Sequence, residues 1–168
     1  EDSWLIALKV AESLKTLHSK DLYHCNLKPS NILFDEGIDP SPMLTDFAQG
    51  YLGGNEQINL NDSLFFSHPN QLNGESFLFN GNGQRWDIYS FGATMFKLLT
   101  GNHCRLNKEI EAFKKRKGND STHYSGISPN QVSRALKRSP QIFWPLPPST
   151  RKEHSLRKLI ERCLTLDE

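Results

Sequence analysis

Apolar positions recur at helical spacing over several long stretches of the chain and at strand-like spacing over two short ones. From Asp2 to Lys20, Ile6, Val10, Leu14 and Leu17 fall at four- and three-residue steps, widened by Ala7, Leu8 and Ala11. This predicts an amphipathic helix, with Asp2 or Ser3 as its cap. Two short apolar runs follow, "NILFD" (Asn31 to Asp35) and "PMLTD" (Pro42 to Asp46), separated by the turn formers "EGIDPS". They predict a small β-hairpin. Residues 49–83 are rich in Asn, Gly and Ser without a stable period, which predicts a long, mostly irregular segment of functional or mobile character.

The next helix, "RWDIYSFGATMFKLLTG", has no polar face. Trp86, Ile88, Tyr89, Phe91, Met95, Phe96, Leu98 and Leu99 occupy every side, so it is expected to run through the core and to end at Gly101. "LNKEIEAFKKRKGND" predicts an exposed basic helix ending near Gly118, and Ser128 with Pro129 marks the start of a shorter one. A Pro-rich connector, "SPQIFWPLPPS", leads to a last helix. There Leu156, Leu159, Ile160, Cys163 and Leu164 fall at i, i+3, i+4, i+7 and i+8. Periodicity alone therefore gives a mainly α fold with one small hairpin carrying a polar loop on each side.

Composition narrows the classes. At 168 residues, with 36% hydrophobic and 23% charged residues, the chain is one domain, or a large piece of one, with a real core. A net charge of +1 gives no reason to expect nucleic acid. The run "KKRKG" (Lys114 to Gly118) lacks aromatic interleaving and reads as a solvated helix face. Cys25, Cys104 and Cys163 stand far apart without a CxxC pair, which suits a reducing, intracellular setting. No apolar run approaches the ~20 residues that span a bilayer. The opening "EDSWLIALKV" has no basic n-region and reads like the middle of a domain. Asn61-Asp62-Ser63 and Asn119-Asp120-Ser121 match the glycosylation triplet and, without a secretory signal, are read as chance.

The stretch "YHCNLKPSN" (Tyr23 to Asn31) changes the picture. "LHSKDLYHCNLKPSNILFD" resembles the catalytic loop of a eukaryotic-type Ser/Thr protein kinase, and "LTDFAQG", twenty residues on, resembles its metal-binding Asp-Phe-Gly segment. "SHPNQL" is similar to the Ala-Pro-Glu end of the activation segment, "RWDIYSFGATMFKLLTG" to the buried central helix, and "LRKLIERCLTLDE" to a late helix of the C-terminal lobe. Five signals in the family's order cover nearly the whole chain. The resemblance implies a kinase C-terminal lobe over residues 1–168. The N-terminal lobe, with its phosphate loop and strand lysine, would lie outside this sequence, and the last helix region would be cut short.

The resemblance also assigns roles, and the sequence departs from several. Asn26 stands where the family has the Asp that accepts the substrate hydroxyl proton; an amide has no useful basicity at pH 7, and general-base assistance is typically worth ~10²–10⁴-fold. Cys25 stands where an Arg pairs with a phosphorylated activation loop, and a thiol cannot form that charge-assisted fork. Ala48 replaces the Asp-Phe-Gly glycine, at a cost of ~1–2 kcal/mol if that backbone must reach φ > 0. Asn70 replaces the Glu of Ala-Pro-Glu.

Lys28 keeps the position that approaches the γ-phosphate, and Asn31 and Asp46 keep those that hold Mg²⁺ through hard oxygens. Leu33 would sit in the nucleotide site. His24 and Phe47 would form the lower part of the regulatory hydrophobic stack, and Asp87 would anchor the loop backbone. Ordinary loop, cap and core roles are the competing readings of the same residues. The resemblance thus implies a kinase-like module with impaired or absent phosphotransfer, weak or absent use of ATP and Mg²⁺, and a protein partner. The alternatives are a working kinase completed by an N-lobe, and a structural domain that binds no nucleotide. An apolar face around Leu33 and Leu98 would be left bare without that N-lobe.

Overall fold

A computed structural model of the chain describes residues 2–34, 41–47, 64–72, 82–117 and 127–166. The elements run α1 (Asp2–His18), a 3-10 turn (Pro29–Asn31), β1 (Ile32–Phe34), β2 (Pro42–Leu44), α2 (Pro69–Leu72), α3 (Asn82–Thr100), α4 (Asn107–Lys117), α5 (Pro129–Arg138) and α6 (Arg151–Cys163). The strands pair antiparallel, Ile32 with Leu44, Leu33 with Met43 and Phe34 with Pro42. Among the described residues the domain is mainly helical with one small antiparallel strand pair, the organisation its periodicity predicts. Asp2 and Ser3 already belong to α1, so neither precedes its first turn as a cap.

The 19-residue helix α3 is the axis of the fold, packed by α1 and α6. Val10 and Leu14 of α1, Tyr89, Met95 and Phe96 of α3, and Leu156, Ile160 and Leu164 at α6 form one buried cluster, joined by Leu27 and Ile32. Each such side chain is worth ~1.5–3 kcal/mol against full exposure. α3 and α6 approach closely at Gly92, where an added Cβ would stand 2.8 Å from Cys163 Cβ. Gly101 ends α3 at φ +70, its N–H donating to Lys97 O at 2.9 Å.

Periodicity overreaches at a few positions. α3 is buried on every side from Tyr89 to Phe96, as expected of a helix through the core, but Ile88, Leu98 and Leu99 nearer its ends, and Leu159 of α6, are exposed.

A second cluster joins Leu64, Phe65 and Leu72 to Leu106 and Ile110 near α4 and to Val132 and Leu136 of α5. Most of the segment 49–83, expected to be mostly irregular, lies outside the described residues; within it residues 64–72 are packed, α2 is helical, and α3 begins at Asn82. Ser128 closes a capping box with Gln131 at the start of α5. At α6 the Thr150 hydroxyl accepts from Glu153 N, and Ser149 in turn donates to Glu153 Oε2 from both its N–H (2.8 Å) and its hydroxyl (2.7 Å). The Ser149 hydroxyl and amide, then Arg157, hold the Glu153 carboxyl down to about 2.

Arg105, buried between α3 and α4, ties three regions together. It donates to Pro140 O (2.7 Å), Tyr89 Oη (3.2 Å) and Leu164 O (2.9 Å), the last at the C-terminal end of α6 where a cation is favoured. Ala48, the triplets Asn61-Asp62-Ser63 and Asn119-Asp120-Ser121, and the side chains of the basic run from Lys114 to Gly118 lie outside the described residues. No helix among the described residues is long and apolar enough to cross a membrane.

Candidate active site

The loop between α1 and β1 is organised around one carboxylate. Asp87, fully buried in the first half of α3, accepts from His24 N (Oδ2, 2.8 Å) and Cys25 N (Oδ1, 2.6 Å), while His18 Nε2 lies 2.8 Å from Oδ2. Two backbone donors on a buried charge are the strong kind of hydrogen bond. They hold Cys25 at φ 56, a left-handed conformation that costs a non-glycine residue ~1–2 kcal/mol. The Cys25 thiol is buried, and burial followed by the Asp87 charge pushes its pKa up, so it is an inert neutral group.

His24 is buried beneath the loop. Desolvation lowers its pKa, opposed first by Asp87 and then by the Thr45 carbonyl, so the ring is neutral at pH 7. Its Nδ1 accepts from Asn26 N at 3.2 Å. Phe47 stacks on the ring with centroids 4.5 Å apart and planes inclined by 27°.

Asn26 and Asn31 form the floor of the site. Asn26 Nδ2 donates to the backbone carbonyl of Asp46 at 2.8 Å, and Asn31 Nδ2 donates to Asn26 O at 2.8 Å. Thr45 N donates to Asn31 O at 3.0 Å, which stitches the loop to the end of β2. Asp46 itself is left-handed at φ 64, and its carboxylate is exposed. Because the Asn31 amide nitrogen faces the loop, its Oδ1 is the group left to a ligand or to the Ser30 hydroxyl at 3.4 Å. Asn31 Oδ1 and the Asp46 carboxylate are both hard oxygen donors, the chemistry a magnesium ion accepts. No cluster of three or more His, Cys, Asp or Glu fit to hold a metal unaided occurs among the described residues.

Direct contacts thus bring together His24, Asn26, Asn31, Asp46, Phe47 and Asp87, leaving Lys28 and Leu33 of the candidate site residues. Lys28 joins through its carbonyl, which accepts from Asn31 N at 3.0 Å, and Leu33 stands on β1, 47% exposed. Three contributors escaped the sequence reading. His18 braces Asp87, Thr94 Oγ1 donates to Leu27 O at 3.4 Å, and Gln71 Nε2 donates to Cys25 O at 2.7 Å. His18 lies in the quoted "LHSKDLYHC", six residues before His24, and that spacing was its only signal.

A family profile described as the protein kinase domain matches residues 2–168 of this chain. The chain belongs to the protein kinase family. It corresponds to the C-terminal lobe of that domain, and several of its relatives are named as Ser/Thr kinases. It is 33% identical over 109 residues to a probable serine/threonine-protein kinase of Dictyostelium discoideum, samkA, covering 62% of this chain and 16% of the relative. A second Dictyostelium discoideum protein, the probable serine/threonine-protein kinase ireA, is 33% identical over 115 residues, covering 64% of this chain and 11% of the relative. A G-type lectin S-receptor-like serine/threonine-protein kinase of Oryza sativa subsp. japonica is 34% identical over 109 residues, 63% of this chain and 13% of the relative. The matched part is therefore a small fraction of each of these proteins.

Proposed function

We propose that this lobe belongs to a kinase-like protein whose phosphotransfer is impaired or absent and which acts as a regulatory, protein-binding module. The observation that carries this reading is the state of Asn26. Its position is that of the catalytic carboxylate, its side chain is a neutral amide, and the amide nitrogen donates to the Asp46 carbonyl at 2.8 Å. An amide held this way serves as a conformational clamp on a left-handed Asp46, and it takes no proton from an alcohol.

The residues present still fit a magnesium nucleotide. Asn31 Oδ1 and the Asp46 carboxylate would hold the metal, Lys28 the terminal phosphate, and Leu33 the base; a bound nucleotide supplies the phosphoryl group. Around it, the chain's own contribution is orientation: Asp87 fixes the loop, and Asn31 and Asn26 hold the segment carrying Asp46. A second reading, a working Ser/Thr kinase in the complete protein, is favoured by Phe47 stacked on His24 beside an exposed Asp46. A purely structural domain, the third, predicts no nucleotide binding at all.

Full-length protein incubated with labelled ATP, Mg²⁺ and generic Ser/Thr acceptors separates these readings. Little or no transfer is expected. Robust transfer abolished by Asp46→Ala would refute the proposal and establish the working kinase. A magnesium-dependent thermal shift with ATP, lost in Asp46→Ala, is expected for the nucleotide-binding form, and no shift points to the structural one.

A further inference from the structure

One side chain joins the packed segment 64–72 to the catalytic loop. Gln71, buried on α2, donates from Nε2 to Cys25 O at 2.7 Å, across 46 residues of sequence. Its Oε1 meets no partner among the described residues, so that bond alone orients the amide. Turned over, the group would set oxygen against oxygen. The other backbone group of Cys25, its N–H, is taken by Asp87 at 2.6 Å. The left-handed residue preceding Asn26 is thus gripped from α3 on one side and from α2 on the other. α2 is itself anchored, since Ser133 Oγ of α5 donates to Pro69 O at 2.8 Å and Leu72 is buried in the second core cluster. At this point the loop carries a buried thiol in place of a cation, so nothing at residue 25 can engage a phosphate.

We propose that Gln71 is the positioning residue of the catalytic loop, a permanent hydrogen-bond latch from α2 to the Cys25–Asn26 peptide that makes the loop's geometry independent of phosphorylation. The proposal rests on the reading of Cys25 as the activation-loop arginine position, and it holds whether or not phosphate is transferred. A path of bonds then runs from Ser133 on α5 through α2 and Gln71 to the residue before Asn26. Such a latch acts on the loop backbone, so its signature is the opening of that backbone.

Hydrogen exchange on the full-length protein, read by mass spectrometry on peptides spanning Asn26 to Asn31 with α6 as reference, tests it. Gln71→Leu is expected to lower protection of the loop about 5- to 10-fold, the worth of one hydrogen bond, and to leave α6 unchanged. Gln71→Glu separates positioning from packing because it keeps the side chain's size. Protonated, its O–H donates to Cys25 O and protection returns toward natural; ionised, it cannot donate and protection falls. A mere packing role predicts that the protonated Gln71→Glu protects the loop no better than Gln71→Leu. Phosphatase treatment of the natural protein is expected to leave loop protection unchanged.

Unchanged protection in Gln71→Leu, no pH dependence in Gln71→Glu, or loosening by phosphatase would each overturn the latch. If Gln71→Leu fails to fold, the other two arms decide. Failure of the latch is read in exchange and failure of the impaired-transfer reading in phosphate incorporation, so the two are told apart.

Discussion

Asp87→Asn is the most informative single-atom change in the lobe, because one buried carboxylate accepts from two backbone amides and faces His18. The asparagine keeps one acceptor oxygen. If that oxygen stays with Cys25, the new NH₂ faces the His24 amide and His18 Nε2, and two interactions are lost. Hydrogen bonds to charged groups are worth ~1.5–3 kcal/mol each, so the loss is about 3–6 kcal/mol. Domain stabilities run to about 5–15 kcal/mol, so this is a large fraction of the whole. Cys25 would also lose part of the support for its left-handed backbone.

Urea unfolding followed by tryptophan fluorescence reads the change, and Trp86 beside Cys25 is a local reporter. With a slope of about 2 kcal/mol/M, the midpoint should fall by roughly 1.5–3 M. A fall of less than about 0.3 M would show that Asp87 does not organise the loop, and the derivation of the site from it would be wrong.

Three further outcomes follow from the same contacts. Burial first, then Arg85, Lys137 and Arg105, lower the His68 pKa from 6.5 to about 4, so the unfolded chain binds the extra proton between those values and stability rises with pH across that window. Acidification from pH 6.5 to 4 should therefore cost on the order of 3 kcal/mol at this residue, with His24 adding in the same direction; urea midpoints of the natural chain and His68→Gln should converge at low pH. Gly92→Ala puts a methyl 2.8 Å from Cys163 Cβ and 3.0 Å from Leu164 Cγ and should lower stability by ~1–3 kcal/mol in thermal melts. Thr150→Ala removes the acceptor at the start of α6 and should cost ~1 kcal/mol in the same assay, with Thr150→Ser nearly neutral.

Elements that carry their own periodic signal were legible in the sequence. The stripe of Val10 and Leu14 and that of Leu156 and Ile160 are buried as the spacing requires, and Gly101 closes α3 with the positive φ that a terminal glycine permits. α2 was not legible. Four residues, Pro69-Asn70-Gln71-Leu72, contain no repeat, and their place is fixed by Gln71 on the catalytic loop and Ser133 on α5, both contacts between distant parts of the chain. The site was legible to the extent that family spacing marks its residues. Its bonding was not: the clamp from Asn26 to Asp46 depends on Asp46 reaching φ 64, which no letter of the sequence states. The asparagine at 26 thus reads in the sequence as a loss, and in the structure also as a donor that a carboxylate could not replace.

That double role makes Asn26→Asp in the full-length protein the most direct measurement. Under single-turnover conditions with saturating Mg-ATP, restoring a carboxylate supplies a general base worth ~10²–10⁴-fold. Losing the bond to Asp46 offsets about tenfold of that gain. A rise of at least tenfold over a near-zero natural rate, abolished by adding Asp46→Ala, is the predicted result. A natural protein that already transfers phosphate rapidly, and slows when Asn26 becomes Asp, would contradict it.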